Sequence, residues 1–246
     1  MPTSPLLPVD TPVPPLHGFR GDAPAAPATH PRGLTVALSR EAGARGTTIA
    51  RKLGELLGWQ VFDQEMIDYL MLDESGREQL LADVPAGARA WADARFEQLR
   101  RNGQVNDDPD TEALVRLVLV VAARGDAVIV GRGAGFFLPA ESTLSVRVVA
   151  PFESRVKYLA QTLRLPREEA AAEVRNRDDR RAMFLSRTLL RQPADPTAYD
   201  VLVNSTRLGV EGAAQFIGWA VRTKQQFAEL AEPNGGTNGS DDLSIR

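Results

Sequence analysis

No cysteine occurs in the 246-residue chain, which excludes disulfides, thiol nucleophiles, iron–sulfur clusters and thiolate zinc sites. Histidine is almost missing as well: the two are His17 and His30, both in a proline-rich opening stretch. The remainder has no imidazole, so a Ser-His-Asp triad and a histidine-ligated metal site are excluded with it. Lysine is scarce, with Lys52, Lys157 and Lys224 the only three among 29 basic residues. Any cation used here is therefore expected to be a guanidinium. Long hydrophobic runs are missing too. Leu117 to Ala123, the longest apolar run near the middle, lies between Arg116 and Arg124 and falls far short of the ~20 residues that span a bilayer. With a net charge of −3 and a pI near 5.6, no global positive field favours nucleic acid. What is left is chemistry done by carboxylates, hydroxyls, backbone amides and arginine.

Residues 1–32 hold nine of the 17 prolines and show no hydrophobic period. Such a stretch does not bury enough apolar surface to offset chain entropy, and it reads as a disordered leader. It lacks the basic start and apolar core of a secretory signal. Residues 232–246, with Pro-Asn-Gly-Gly-Thr-Asn-Gly-Ser, read as a flexible tail. One well-cored α/β domain is expected over residues 33–231. The expected location is the cytoplasm, with neither membrane nor nucleic acid as partner.

Short apolar strands alternate with helical patterns along this domain. Leu34 to Leu38 reads as a buried strand. Ile49, Ala50, Leu53, Leu56 and Leu57 mark one face of a helix that Gly58 stops. Trp59–Phe62 is a second strand, and residues 64–104 look helical with a break near Pro85. A helix over Thr111–Arg124 is capped by Asp110 or Thr111. Strands follow at Ala127–Val130 and Leu144–Ala150. Pro151 then opens a helix at its first turn, and another runs from about Pro166 to Arg187. Val201–Val203 and a closing helix over Val210–Leu230 complete the pattern. Several strands are apolar throughout, which predicts a parallel sheet covered on both faces. Ligands in such sheets sit beyond the carboxyl ends of the strands.

The first strand–loop–helix junction runs Ser39-Arg-Glu-Ala-Gly-Ala-Arg-Gly-Thr-Thr-Ile-Ala50. Glycines let the backbone curl so that several N–H groups face one anion, and the following helix adds free amides and a positive dipole end. Thr47 and Thr48 sit in the first turn, within reach of a phosphate or a magnesium ion. Against the common pattern G-x-x-x-x-G-K-[ST], the first glycine slot holds Arg40 and the lysine slot holds Gly46. Either Arg45 or Arg40 is placed to replace the lysine charge; Lys52 lies more than a turn away, on a solvated face. Gly131-Arg-Gly133-Ala-Gly135 superficially suggests a dinucleotide fingerprint, but no clear helix follows and Pro139 intervenes. Phe136, Phe137 and Trp91 read as core aromatics.

Several motifs occur in order with the loop. They are Ser39-Arg40-x-x-Gly43-x-x-Gly46 with Leu57-Gly58, Phe62-Asp63-Gln64-Glu65, Gly131-Arg132, Ala150-Pro151, Asp178 with Arg181, and Tyr199-Asp200 through Asn204. Together they resemble the cytidylate-kinase-like family, relatives of the P-loop nucleoside monophosphate kinases. The match runs from Leu34 to about Leu230 except for residues 73–110, where relatives carry variable acceptor-binding helices. The resemblance implies a three-layer P-loop kinase fold with a parallel sheet of about five strands, helices on both faces and a helical lid over residues 164–191.

It also implies small-molecule nucleotides as ligands and ATP with Mg2+ as donor and cofactor. The donor phosphates would rest on the amides of Gly43, Ala44, Arg45, Gly46, Thr47 and Thr48, with Thr47 toward the magnesium. Arg132 would grip the acceptor phosphate, and Arg177 and Arg181 would neutralise charge on the transferring group. Arg177, Arg180 and Arg181 share a helix face, which reads either as a closing lid or as a solvated, salt-bridged surface. Asp63 contacts the acceptor or a magnesium-bound water, or caps the next helix. Asp200 reads as structural. The expected activity is ATP-dependent phosphorylation of a nucleoside monophosphate, CMP first among them. The alternative is a nucleotide-binding regulator that has lost catalysis with its lysine. The motifs set neither the acceptor nor an oligomeric state.

Overall fold

A computed structural model describes residues 33–82, 84–189 and 195–231. The expected leader and tail, and residues 190–191 of the expected lid, lie outside them. Five strands form one parallel sheet: β1 (Thr35–Arg40), β2 (Gln60–Phe62), β3 (Ala127–Val130), β4 (Thr143–Val149) and β5 (Val201–Asn204), in the order β2-β3-β1-β4-β5. In register, Ala37 of β1 lies between Ile129 of β3 and Ser145 of β4, and Ser39 lies beside Arg147.

Alternation along each strand divides the core into two layers. On one face Val36, Leu38, Val128, Val130, Val146 and Val148 pack against α1 (Gly46–Leu57) and α9 (Ser205–Ala231). Ile49 and Leu53 of α1 are fully buried there, each contributing about 1.5–3 kcal/mol of apolar burial. On the other face Phe62, Ala127 and Ile129 pack against the helices α2 (Gln64–Leu72), α4 (Ala86–Arg101) and α5 (Pro109–Arg124), with α3 (Glu74–Ala82) beside them. The one-turn helix α6 (Ala134–Phe137) closes this layer. A helical hairpin, α7 (Phe152–Leu163) and α8 (Arg167–Thr188), stands apart on its own small core. The three-layer α/β fold expected from the sequence is the one observed.

Local details differ from the sequence reading. Asp108, not Asp110 or Thr111, caps α5: its carboxylate accepts from the Thr111 amide at 2.9 Å, and Pro109 takes the first helical position. Pro151 and Pro166 each sit one position before their helix, at the cap. A helical turn does follow Gly133. The closing helix begins at Ser205, directly after β5, and is interrupted at Gly209, where φ is 70°. Among the described residues no helix is long and apolar enough to cross a membrane.

Candidate functional site

After β1 the chain turns into α1 on one face of the sheet; after β3 it turns into α6 on the other. The carboxyl ends of these adjacent strands therefore open a crevice, the place where open α/β sheets bind ligands. The loop after β1 is pinned at its base. The Glu41 amide donates to the Val148 carbonyl at 3.1 Å, and the Glu41 carboxylate accepts from the Ala150 amide at 3.1 Å. Ala42 and Ala44 are buried. Arg45 then adopts a left-handed conformation, φ 59° and ψ 22°, and α1 starts without a side-chain cap. Among the described residues no acceptor takes the first-turn amides of Gly46, Thr47 and Thr48. Free amides at a helix start form an anion cradle. Gly46 is needed for close approach: a Cβ there would lie 2.5 Å from Cβ of Arg40, whose stem crosses the loop at that point.

Arg40 leads into a cavity of about 750 Å³ lined by Arg132, Arg147, Arg177, Arg180 and Arg181. Burial, then the charges of Arg181 and Arg132, pull the Arg40 guanidinium down to about 10, against the pull of the Asp63 carboxylate. Its only hydrogen bond among the described residues goes to Gln64 at 3.4 Å. Arg132 follows β3 with φ 53°, between Gly131 at 84° and Gly133 at 69°. A non-glycine residue held there costs about 1 kcal/mol or more. That conformation sends its side chain into the cleft, where it pairs with Asp68 of α2 and lies 5.7 Å over the Phe184 ring. At Gly131 the φ of 84° favours glycine, and a Cβ there would push aside the Arg40 guanidinium, which lies 2.1 Å from that position. Burial lowers the pKa of Arg132, and Nε of this residue has no partner.

Arg177 and Arg181 arrive from α8. Arg177 bonds Glu173 at 2.5 Å, and Arg180 lies 3.5 Å from the same carboxylate. Arg181 stands 3.5 Å from Asp178 with a buried Nη1 that makes no hydrogen bond. Burial lowers its pKa; Asp178 opposes this, and Arg177, Arg180 and Arg147 add to it. Asp178 ties the hairpin to the loop. It accepts from the Ala42 amide at 2.7 Å and from Arg155 at 2.5 Å, while Arg155 also reaches Glu41 at 3.5 Å. Ala42 sits within the hairpin's own apolar core, among Val156, Leu159 and Val174.

The structure thus brings Arg40, Arg132, Arg177 and Arg181 to one crevice beside the loop. It does not bring Arg45 there. The left-handed backbone turns that side chain outward, 4.7 Å over the Tyr158 ring, to a separate cavity of about 270 Å³ lined also by Gly43, Ser154, Lys157 and Thr206. Thr47 is half-buried and Thr48 exposed in the first turn. Asp63 caps α2, accepting from the Met66 amide at 3.0 Å and pairing with Arg51 at 2.7 Å. Against the cost of burial, the Met66 amide and Arg51 hold its carboxyl below the usual range. Asp200 binds the Ser145 amide at 2.8 Å and Lys224 at 3.1 Å, a structural tie. Lys52 pairs on the surface with Glu55. Phe137 is core, with Phe136 and Trp91 packed against it.

Sequence reasoning missed Arg147, Asp68 and the loop-binding part played by Asp178. The signal for Arg147 was a charge inside the mostly apolar Leu144–Val149.

A family model described as the cytidylate kinase-like family matches residues 35–207. A cytidylate kinase of Ignicoccus hospitalis is 24% identical over 183 residues, 74% of this chain and 95% of the relative. A cytidylate kinase of Haloarcula marismortui is 24% identical over 179 residues, 73% of this chain and 84% of the relative. A crystal structure of an uncharacterized protein from Eubacterium ventriosum aligns over 78% of this chain and 99% of its own. Its TM-score is 0.55 at 17% identity.

Proposed function

Because the chain belongs to the cytidylate kinase-like family, we propose that it transfers the γ-phosphoryl group of ATP to a nucleoside monophosphate, CMP foremost. The single observation that carries this reading is the lie of unpartnered first-turn amides beside a crevice of buried, partly unpaired guanidiniums, with the Arg40 stem against Gly46 joining the two. Phosphoryl transfer asks a protein for positioning and charge neutralisation, which suits a domain without imidazole or thiol.

In this reading the donor phosphates rest on the amides of Gly43 and of Arg45 to Thr48; the Ala44 amide, also expected there from the sequence, is instead taken by the Glu41 carbonyl at 3.2 Å. Arg40, whose stem lies on Gly46 in the lysine slot, supplies the missing cation from the cleft side. Arg45, Tyr158 and the smaller cavity face the donor's nucleoside. Arg132, steadied by Asp68, holds the acceptor phosphate. An acceptor phosphate oxygen bonds to the γ-phosphorus as the bond to the β–γ bridging oxygen breaks, and ADP leaves with that electron pair. Arg177 and Arg181 balance the charge that spreads over the transferring group.

The donor set fits magnesium carried in by the nucleotide. Among the described residues there is no group of three or more carboxylates or imidazoles for a stand-alone site, while the Thr47 hydroxyl in the first turn is a suitable oxygen ligand. The bound ion supplies further neutralisation of phosphate charge.

Gly46 in the lysine slot also supports a second reading, a nucleotide-binding regulator without turnover. Steady-state assays with ATP, magnesium and a panel of monophosphates, run beside calorimetric titrations, separate the two. ADP formation with CMP above the other acceptors is expected. Tight nucleotide binding with no ADP from any acceptor would establish the regulator instead.

A further inference from the structure

The closing helix α9 has two apolar faces, and the fold uses one of them. Ala213, Ala214, Ile217 and Val221 are fully buried against the sheet. On one flank Gly218 faces α1, where a Cβ would stand 3.7 Å from Leu53. On the side away from α1, Gly212, Phe216, Trp219, Thr223 and Phe227 recur at steps of four, three, four and four, the spacing of a single helix face. Phe216, Trp219 and Phe227 stand 45%, 49% and 42% exposed, and the first two rings lie 6.4 Å apart. The charged residues of this stretch, Glu211 and Arg222, sit on the other flank. A surface helix ordinarily turns polar residues outward, and a continuous aromatic stripe marks an interaction site. Since α1 lies over β1 and β3 and α9 over β4 and β5, the stripe overlooks the open edge of the sheet at β5.

The chain supplies a segment that suits this stripe in composition and in place. Residues 1–19 carry six prolines and only one charged side chain, Asp10. Pro2, Pro5 and Pro8 recur every third residue, as do Val13, Leu16 and Phe19. A polyproline helix has three residues per turn, so each set shares one side. Such helices dock on aromatic-lined surfaces with little further loss of chain entropy. The attachment point agrees. The leader joins the fold at Gly33; two residues on, Thr35 pairs in register with Thr143, whose carbonyl accepts from Lys224 of α9. The leader thus ends beside the last turns of α9, three residues from Phe227. Residues 20–32 reach about 40 Å when extended, while Phe216 to Phe227 spans about 16 Å of helix. Residues 232–246 also follow α9, but they hold four charged side chains and only Leu243 and Ile245 as large apolar ones.

We propose that residues 1–19 lie as a polyproline helix along the Phe216–Trp219–Phe227 stripe of their own chain, an intramolecular clasp that covers the second apolar face of α9. The clasp is independent of the transfer reaction.

The natural absence of cysteine makes Thr11→Cys a single site for a nitroxide in the full chain. Amide and indole signals of the isotope-labelled protein are compared before and after the nitroxide is reduced. Gly125 and Asp126, which lie against Gly33, report the broadening that a freely tethered leader produces. The expected result is that Phe216 and the Trp219 indole lose most of their intensity, more than Gly125 and Asp126 do. Phe216→Ser combined with Trp219→Ser removes no buried ring and should abolish that excess. Leu7→Ser with Leu16→Ser, both in the leader, should abolish it too and serves if the helix variant does not fold. Broadening of Phe216 and Trp219 no greater than that of Gly125 and Asp126, or an excess unchanged in these variants, would overturn the clasp. Equal broadening of the stripe in a mixture of isotope-labelled chain without nitroxide and unlabelled chain with it would overturn it as well, by assigning the face to a second copy.

Discussion

Replacing Arg181 by methionine is expected to lower kcat/KM by about 10²–10³-fold, the cost of removing one preorganised group that stabilises transition-state charge. The same variant should melt no lower than the parent chain. The two effects separate because the Arg181 guanidinium is buried among other arginines and its Nη1 makes no hydrogen bond, its carboxylate neighbour Asp178 lying 3.5 Å away and already bonded to Arg155 and the Ala42 amide. In the unliganded fold such a charge is a burden, and an apolar replacement of similar length is often neutral or stabilising. It becomes useful only when phosphate charge fills the crevice. Steady-state kinetics and thermal denaturation of the same preparations check this. A parallel fall in melting temperature and activity would mean that Arg181 acts as a structural strut.

The second large effect is on the joint between hairpin and loop. Asp178→Ala removes the acceptor of the Ala42 amide and the 2.5 Å partner of Arg155, whose side chain is only 11% exposed. Glu41, 3.5 Å from Arg155, remains as a weaker partner. Stranding a mostly buried guanidinium and a buried amide costs about 3 kcal/mol. In a domain of this size that lowers the melting temperature by roughly 6–12 °C. Asp178→Asn keeps an oxygen for Ala42 and should lose less. Both variants should also lose turnover, because α8 delivers Arg177 and Arg181 to the crevice through this joint. Melting curves and ADP formation for the pair check it; an unchanged melting temperature in Asp178→Ala would show that the hairpin is held by its apolar core alone.

The two variants mark where the sequence was legible. Strands β1, β3 and β4 announced themselves as apolar runs, and α1 as an amphipathic face with a glycine stop, because these signals are local. Arg132 and Arg181 were readable from their places after a strand and on a helix, as the motifs resemble a known family. Arg45 was not, since its direction depends on a left-handed backbone that no residue type encodes at that position. Asp178 looked like one partner in a solvated arginine-rich face. Its contact with Ala42 spans 136 residues of chain, and such pairing appears only once the hairpin has folded back on the loop. Arg147 drew no reading from the sequence, because its place in the cavity follows from the register that sets it beside Ser39.

The central claim is that main-chain amides between Gly43 and Thr48 grip polyphosphate without a lysine. Amide chemical shifts of isotope-labelled chain, followed while ATP and magnesium are added, test it most directly. The account predicts that the largest shifts fall on Gly43, Arg45, Gly46, Thr47 and Thr48. Saturable ATP binding that leaves these five amides unmoved and shifts others instead would contradict it.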